Sequence, residues 1–178
     1  MHPNQQRLAS YIRTIPDFPK KGIMFRDITT LLKDRSAFAE ATQLLYERYR
    51  EKRIDKIACI ESRGFILGAA LALKLDCGFV PIRKKGKLPA EKLQQEYALE
   101  YGTDVIEIHM DAISAGERIL IHDDLLATGG TVGAACKLVE TLSGSIVGLS
   151  FLIELSFLKG RARLGSYDIS SLIEYDAE

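Results

Sequence analysis

The chain has 178 residues, about one domain's worth, and a domain of that length buries enough surface to fold without disulfide staples or a structural metal. Lys plus Arg and Asp plus Glu both number 24, so the formal charge is zero, which argues against holding nucleic acid or an anionic membrane through bulk charge. The longest near-apolar stretch, residues 66–73, falls far short of the roughly 20 residues a bilayer demands.

Residues 1–7 lack the apolar core of a secretory signal. Cys59, Cys77 and Cys136 are odd in number and have no CxxC spacing, which suits a reducing compartment. The expectation is a soluble, cytoplasmic, single-domain protein spanning residues 1–178. Leu8, Tyr11, Ile12 and Ile15 fall at helical spacing and predict an amphipathic helix, stopped by Pro16 and Pro19. A short apolar run, Ile23-Met24-Phe25, follows the turn at Gly22. A second helix is predicted over about 36–52, with Phe38, Ala41, Leu45 and Tyr49 inward, and a buried strand over 56–60. Ser62-Arg63-Gly64 then turns the chain into an Ala/Leu-rich helix over 65–75. A strand over 79–82 leads into the basic run Arg83-Lys84-Lys85-Gly86-Lys87, and residues 97–101 and 105–110 read as a hairpin around Gly102. A buried strand over 118–122, a helix over 131–142, and strands over 146–155 and 171–175 complete the order. Strands alternating with helices of ten or more residues predict an α/β fold, a mostly parallel sheet with helices on both faces. Ligands in such sheets bind beyond the carboxyl ends of the strands, here after Ile60, Ile82 and His122.

The sharpest local signal follows the strand ending at His122. Asp123-Asp124 is followed by Ala127-Thr128-Gly129-Gly130-Thr131, which opens a helix. Free backbone N–H groups at a helix start bind anions, and glycines let several amides converge on one phosphate. Asp123 and Asp124 would repel that phosphate but can accept hydrogen bonds from vicinal hydroxyls. A ribose 5-phosphate carries both features. The loop is neither a Walker A loop nor a dinucleotide loop, because no Lys precedes Thr131 and GxGxxG is absent. The bland alternative is a capping turn with Asp and Thr as ordinary caps.

The run Ile119-Leu120-Ile121-His122-Asp123-Asp124-Leu125-Leu126-Ala127-Thr128-Gly129-Gly130-Thr131 resembles the phosphoribosyl pyrophosphate signature of type I phosphoribosyltransferases. Further segments are similar to the members of that family that act on adenine. These are Asp17-Phe18-Pro19-Lys20-Lys21-Gly22-Ile23-Met24-Phe25-Arg26-Asp27-Ile28, Glu61-Ser62-Arg63-Gly64-Phe65, the basic run through Leu88-Pro89, and Leu99-Glu100-Tyr101-Gly102. Glu154-Leu155 and Leu158-Lys159-Gly160-Arg161 extend the match over nearly the full chain.

The resemblance implies the family fold, with a small N-terminal hood formed mainly by residues 1–35 and a flexible lid hairpin at about 83–106. It implies displacement of pyrophosphate from ribose C1 of 5-phosphoribosyl 1-pyrophosphate by N9 of adenine, giving AMP in purine salvage. In that pattern Asp123 and Asp124 hold the ribose hydroxyls, and Ala127, Thr128, Gly129, Gly130 and Thr131 hold the 5′-phosphate. Arg63, Arg83, Lys84 and Lys87 bind pyrophosphate, with Arg83 and Lys84 able to reach a neighbouring subunit of a homodimer. A non-proline cis peptide precedes the Arg63 position. Met24 C=O and Arg26 N–H read the adenine edge, with Phe25 and Leu155 on its two faces. Glu100 is the acid/base near adenine N7, making the catalytic set Glu100, Asp123 and Asp124. Mg2+ is implied on substrate oxygens, with no protein metal cage.

On the residues alone, the basic run also reads as a solvated surface and Met24 and Phe25 as core packing. Glu61 stands where the family more often has Asp, and His122 occupies a usually aliphatic strand position and reads as a hydrogen-bonded strand residue. Two other functions fit the same signature: a transferase for another purine, or a non-catalytic regulator that senses phosphoribosyl pyrophosphate. A regulator needs an added DNA-binding domain and a basic face, which a chain of zero net charge lacks. The hood segment and Glu100-Tyr101 favour adenine over the oxopurines or orotate.

Overall fold

The computed structural model describes residues 3–98 and 102–177. Its centre is a sheet of seven strands: β3 (Lys56–Ile60), β4 (Gly78–Lys84), β5 (Lys92–Ala98), β6 (Thr103–His109), β7 (Arg118–Leu126), β8 (Ser145–Leu155) and β9 (Ile169–Tyr175). They lie in the order β5-β6-β4-β3-β7-β8-β9. β4, β3, β7, β8 and β9 are mutually parallel, while β6 and β5 add antiparallel at one edge. Parallel neighbours need crossovers, and α4 (Gly64–Leu75) and α5 (Gly130–Thr141) supply them between β3 and β4 and between β7 and β8.

The central strands are apolar on both faces because both are covered. In β3, Ile57 and Cys59 face a core that also contains Leu67 and Leu71 of α4 and Leu45 and Tyr49 of α3 (Arg35–Tyr49). Ala58 and Ile60 face the opposite core, with Val132, Ala135 and Val139 of α5. A period of two is thus hidden inside an unbroken apolar run. α3 starts where Asp34 accepts from the N–H groups of Ser36 and Ala37, an N-cap that fixes its first turn.

Several boundaries differ from expectation. The first helix, α1 (Pro3–Ser10), stops five residues before Ile15. Tyr11 and Ile12 N–H close tight i→i−3 bonds onto Leu8 and Ala9, and the chain then enters β1 (Arg13–Ile15). β1 pairs antiparallel with β2 (Phe25–Asp27), Ile15 opposite Phe25, and the short α2 (Thr29–Leu32) follows. β4 extends through Arg83 and Lys84, which pair with Glu107 and Ile106 of β6, so these two cations belong to a strand and not to a loop. β7 extends four residues past His122. Asp123 stands opposite Phe151 and Leu125 opposite Ile153, so both aspartates lie on the strand. The hairpin forms between Lys92–Ala98 and Thr103–His109, its first strand starting before the expected residue 97; positions 99–101 lie outside the described residues. Among the described residues no helix is long and apolar enough to cross a membrane.

Candidate active site

The carboxyl ends of β3, β4, β7 and β8 open on one side of the sheet, where the sequence places its candidate residues. Asp124 is only 4% exposed, and Arg63, at the start of α4, brings Nε to 2.9 Å from its Oδ2. That is an ion-pair distance without the alignment of a hydrogen bond. Asp124 N–H donates to Asp123 Oδ1 at 2.8 Å. Gly64 makes room for this arrangement: a Cβ there would sit 2.9 Å from Asp123 Oδ1 and 3.0 Å from its Cα. Burial and the adjacent Asp124 charge push the Asp123 carboxyl well above the usual carboxylate range, although one edge of Asp123 still meets solvent. Burial raises Asp124 as well, and Arg63 partly offsets this. Burial and mutual repulsion therefore favour a proton held on the pair, and a cation placed beside it favours full ionisation.

Beyond Leu126 the chain turns sharply. Gly129, at φ +81°, caps α5 in the left-handed region, which glycine tolerates best. Thr128, Gly130 and Thr131, together with Asp123, line a cavity of about 70 Å³ at the helix start. The loop is braced from below by Gly160, the first residue of the single-turn helix α6 (Gly160–Arg163). A Cβ on Gly160 would lie 2.2 Å from Ala127 O, and one on Gly129 would lie 2.7 Å from Gly160 O. Arg161 next to it is held by Glu154, a buried carboxylate that takes Nε and Nη2 of Arg161 at 2.6 Å each and also accepts from Ser171. The sequence contained Gly160-Arg161 as a short motif but gave no sign of what it touches.

A second cavity, about 300 Å³, adjoins the loop through Ala127 and is lined by Ile23, Met24, Arg26, Leu155, Phe157 and Leu158. It brings together Met24 and Arg26, expected at the base's edge, and Leu155, expected on one of its faces. Phe25 is not among its lining residues. Its ring packs edge-on to Phe18 at 5.1 Å and lies 5.0 Å from the Arg63 guanidinium. Arg26 is anchored by its own guanidinium, 4.0 Å over the Tyr175 ring and donating to Thr14 Oγ1. Phe157 was not singled out in the sequence, and Leu158 only as the start of the Leu158–Arg161 segment; their position two and three residues after Leu155 was the available signal.

The cations gather around acids. Glu61 follows β3, and the Glu61–Ser62 peptide is cis. Its carboxylate accepts from Lys84 N–H at 2.9 Å and from Arg83 Nε and Nη2 at 3.2 and 3.3 Å, with Lys87 Nζ at 3.7 Å. Burial alone would raise Glu61, but the Lys84 N–H and the Arg83 and Lys87 charges hold it below the usual range. The Lys84 ammonium turns away to Tyr97 OH and the Asp104 carboxylate. Arg83 and Lys87 thus meet at Glu61, while Arg63 sits with Asp124. Glu100 lies outside the described residues. His122 is fully buried, its Nδ1 3.1 Å from Ser150 Oγ. Among the described residues, no grouping of three or more His, Cys, Asp or Glu could hold a metal ion.

Comparison with known proteins gives one answer throughout. Residues 27–170 match the phosphoribosyl transferase domain family. The adenine phosphoribosyltransferase of Brachyspira hyodysenteriae is 57% identical over 168 residues, 94% of this chain and 99% of that protein. The crystal structure of adenine phosphoribosyltransferase from Thermoanaerobacter pseudethanolicus superposes with a TM-score of 0.94 at 54% identity, covering 96% of this chain and 99% of that one. The Saccharomyces cerevisiae enzyme, crystallised with an imino-altritol bisphosphate and adenine, gives 0.89 at 41% identity, covering 97% and 99%. With the seven-stranded sheet and the loop after β7 in the same frame, this chain belongs to the phosphoribosyltransferase family, with the type I fold, among its adenine phosphoribosyltransferases.

Proposed function

We propose that the cleft carries out phosphoribosyl transfer from 5-phosphoribosyl 1-pyrophosphate to adenine N9, releasing pyrophosphate and AMP. The loop at residues 127–131 takes the 5′-phosphate on backbone amides and the hydroxyls of Thr128 and Thr131. Asp123 and Asp124 accept from the ribose hydroxyls. In an oxocarbenium-like transition state positive charge grows on the ring, beside a carboxylate pair whose ionisation is opposed by burial and repulsion and favoured by a neighbouring cation. Such a pair favours the cationic ring more than the neutral substrate, and that difference lowers the barrier. Arg63, Arg83, Lys84 and Lys87 serve the departing pyrophosphate. The hard oxygens of Asp123 and Asp124, one of them buried without an aligned donor, fit a hydrated Mg2+ brought in by the diphosphate. When bound, that ion neutralises charge on the leaving group.

The cavity of about 300 Å³ is read as the adenine pocket, with Met24 and Arg26 backbone at the base's edge and Leu155 on its face. Phe25, Arg26 and Leu155 keep their adenine-binding roles in this reading, and Glu100 that of acid/base at N7. A 6-oxopurine reverses the donor–acceptor order and leaves those backbone groups unpaired, so it is rejected. The hairpin beyond Arg83 acts as the lid that excludes water. The enzyme works in the cytoplasm as a homodimer. Ile66 and Leu73 on α4 and Phe79 on β4 are exposed apolar side chains that a second copy would cover.

The observation that carries this reading is that the phosphate-sized cavity and the larger apolar cavity share Ala127, next to twin carboxylates. The test is release of AMP and pyrophosphate from 5-phosphoribosyl 1-pyrophosphate and Mg2+ with adenine, beside hypoxanthine and guanine. Turnover with adenine is expected. Turnover with the oxopurines alone would overturn the pocket assignment.

A further inference from the structure

We propose that Glu61 is a built-in stand-in for pyrophosphate: its carboxylate gathers Arg83 and Lys87 and gives them up when pyrophosphate arrives, so it sets how tightly the chain holds that group. This rests on reading Arg83 and Lys87 as pyrophosphate cations. Glu61 is then a positioning residue and touches no reacting atom.

The geometry is that of an anion site already filled by the protein. Arg83 approaches as a fork, Nε toward Oε2 and Nη2 toward Oε1, the pattern by which guanidinium reads either a carboxylate or a phosphate. That Nε/Nη2 edge serves one such oxygen pair at a time, while Nη1 donates to Lys87 O at 3.3 Å. The fork is loose, at 3.2 and 3.3 Å, against roughly 2.7–2.9 Å for a strong charge-assisted bond. Lys87 stands further off at 3.7 Å and is half exposed, so solvent screens its share. Lys84 N–H, in contrast, pins Glu61 Oε2 at 2.9 Å through the backbone of β4. The carboxylate is therefore fixed at the strand end while its two cationic side chains are weakly held and free to change partner. A pyrophosphate of higher charge wins that competition, but only by the margin left after Glu61 is given up.

The test is calorimetric titration of inorganic pyrophosphate, with Mg2+, into the full chain. Glu61→Gln keeps the side-chain shape and an acceptor for Lys84 N–H but removes the charge. It is expected to tighten pyrophosphate binding roughly three- to tenfold, and to lower KM for 5-phosphoribosyl 1-pyrophosphate by a similar factor with adenine KM unmoved. Glu61→Asp, which draws the carboxylate back from Lys87, is expected to fall between the two and decides the matter should the glutamine variant not fold. In a Lys87→Ala background the gain from Glu61→Gln should shrink, since the two side chains are coupled. Unchanged or weaker pyrophosphate binding in the charge-free variant would overturn the proposal and make Glu61 an organiser of the cations. If Arg83→Ala and Lys87→Ala left pyrophosphate affinity intact in the unaltered Glu61 background, the placement of pyrophosphate itself would fail, and Glu61's role with it.

Discussion

Gly160 gives the most direct test of how the loop proposed to take the 5′-phosphate is held. Its φ is not in the left-handed region, so alanine is allowed on backbone grounds and the effect of Gly160→Ala is steric. The added Cβ would stand 2.2 Å from Ala127 O and 3.2 Å from Ala127 C, with Leu126 Cδ1 at 3.1 Å. A carbon and a carbonyl oxygen come no closer than roughly 3.2 Å, so one partner must retreat by about 1 Å. α6 cannot easily yield, because Arg161 is tied to Glu154 and Ser171 and also donates to Ile169 O. The displacement therefore passes to Ala127 and, through Gly129, to the first amides of α5.

An error of about 1 Å in a positioned group costs on the order of 100-fold, or about 2.7 kcal/mol in the barrier. The expected outcome is a fall of that size in kcat/KM for 5-phosphoribosyl 1-pyrophosphate. Crowding should also lower stability by about 1–3 kcal/mol, a Tm drop of roughly 3–10 °C at this chain length. Gly133→Ala, within α5 itself, is the control. Its nearest neighbour would be Leu164 Cδ2 at 3.8 Å, an ordinary contact. Alanine in a helix interior should raise Tm slightly and leave the kinetics alone. A folded Gly160→Ala protein with unaltered sugar-phosphate kinetics would refute the claim that this contact sets the loop.

Two further outcomes concern stability. Burial holds the His122 imidazole down at about 4, against 6.5 for an ordinary histidine. The unfolded chain therefore binds the proton first: stabilisation by neutral His122 is complete above pH ~6.5, declines as pH falls, and is lost by about pH 4, up to about 3 kcal/mol in all. His122→Leu should flatten that part of the urea-midpoint profile between pH 7 and 4, and parallel profiles would contradict the assignment. Glu154→Gln removes the charge that Arg161 grips. Because Arg161 is half exposed and can rehydrate, the loss should be about 1–3 kcal/mol rather than that of a fully buried pair. A melting curve unchanged from the parent would show that the clamp adds nothing.

The sheet was legible because its strands are covered on both faces. Residues 56–60 carry no charge after Lys56, and the structure places β3 on those same residues. α4 and α5 likewise start at the glycines that end the preceding turns. What the pattern could not carry is anything that depends on a distant partner. Asp123 and Asp124 looked like the end of a strand, since two carboxylates rarely sit inside one; the strand continues because Phe151 and Ile153 of β8 lie opposite and Arg63 reaches in from α4. Ile15 fitted a helical stripe equally well, and only its pairing with Phe25, ten residues on across two prolines, decided for β1. The loop at residues 127–131 was readable as a motif, while its brace at Gly160 and the acid partners of Arg83 and Lys84 were contacts of fold and register.

The division of charge across the cleft follows from the same topology. The carboxylates proposed to meet a developing cation sit on β7, flanked by β3 and β8 and pinned by buried side chains above and below. Charges used in this way help only if they do not rearrange as the reaction proceeds. Arg83, Lys84 and Lys87, three of the four cations proposed for the leaving group, sit at or just past the far end of β4, where the sheet passes from parallel to antiparallel and only the β5–β6 hairpin lies beyond. A leaving group must be gripped and then released, so weakly held side chains on a less buried strand suit it better than fixed ones. A neutral chain thus separates its charges by rigidity: the acids lie where the fold is stiffest, and the bases where each already has an exchangeable partner.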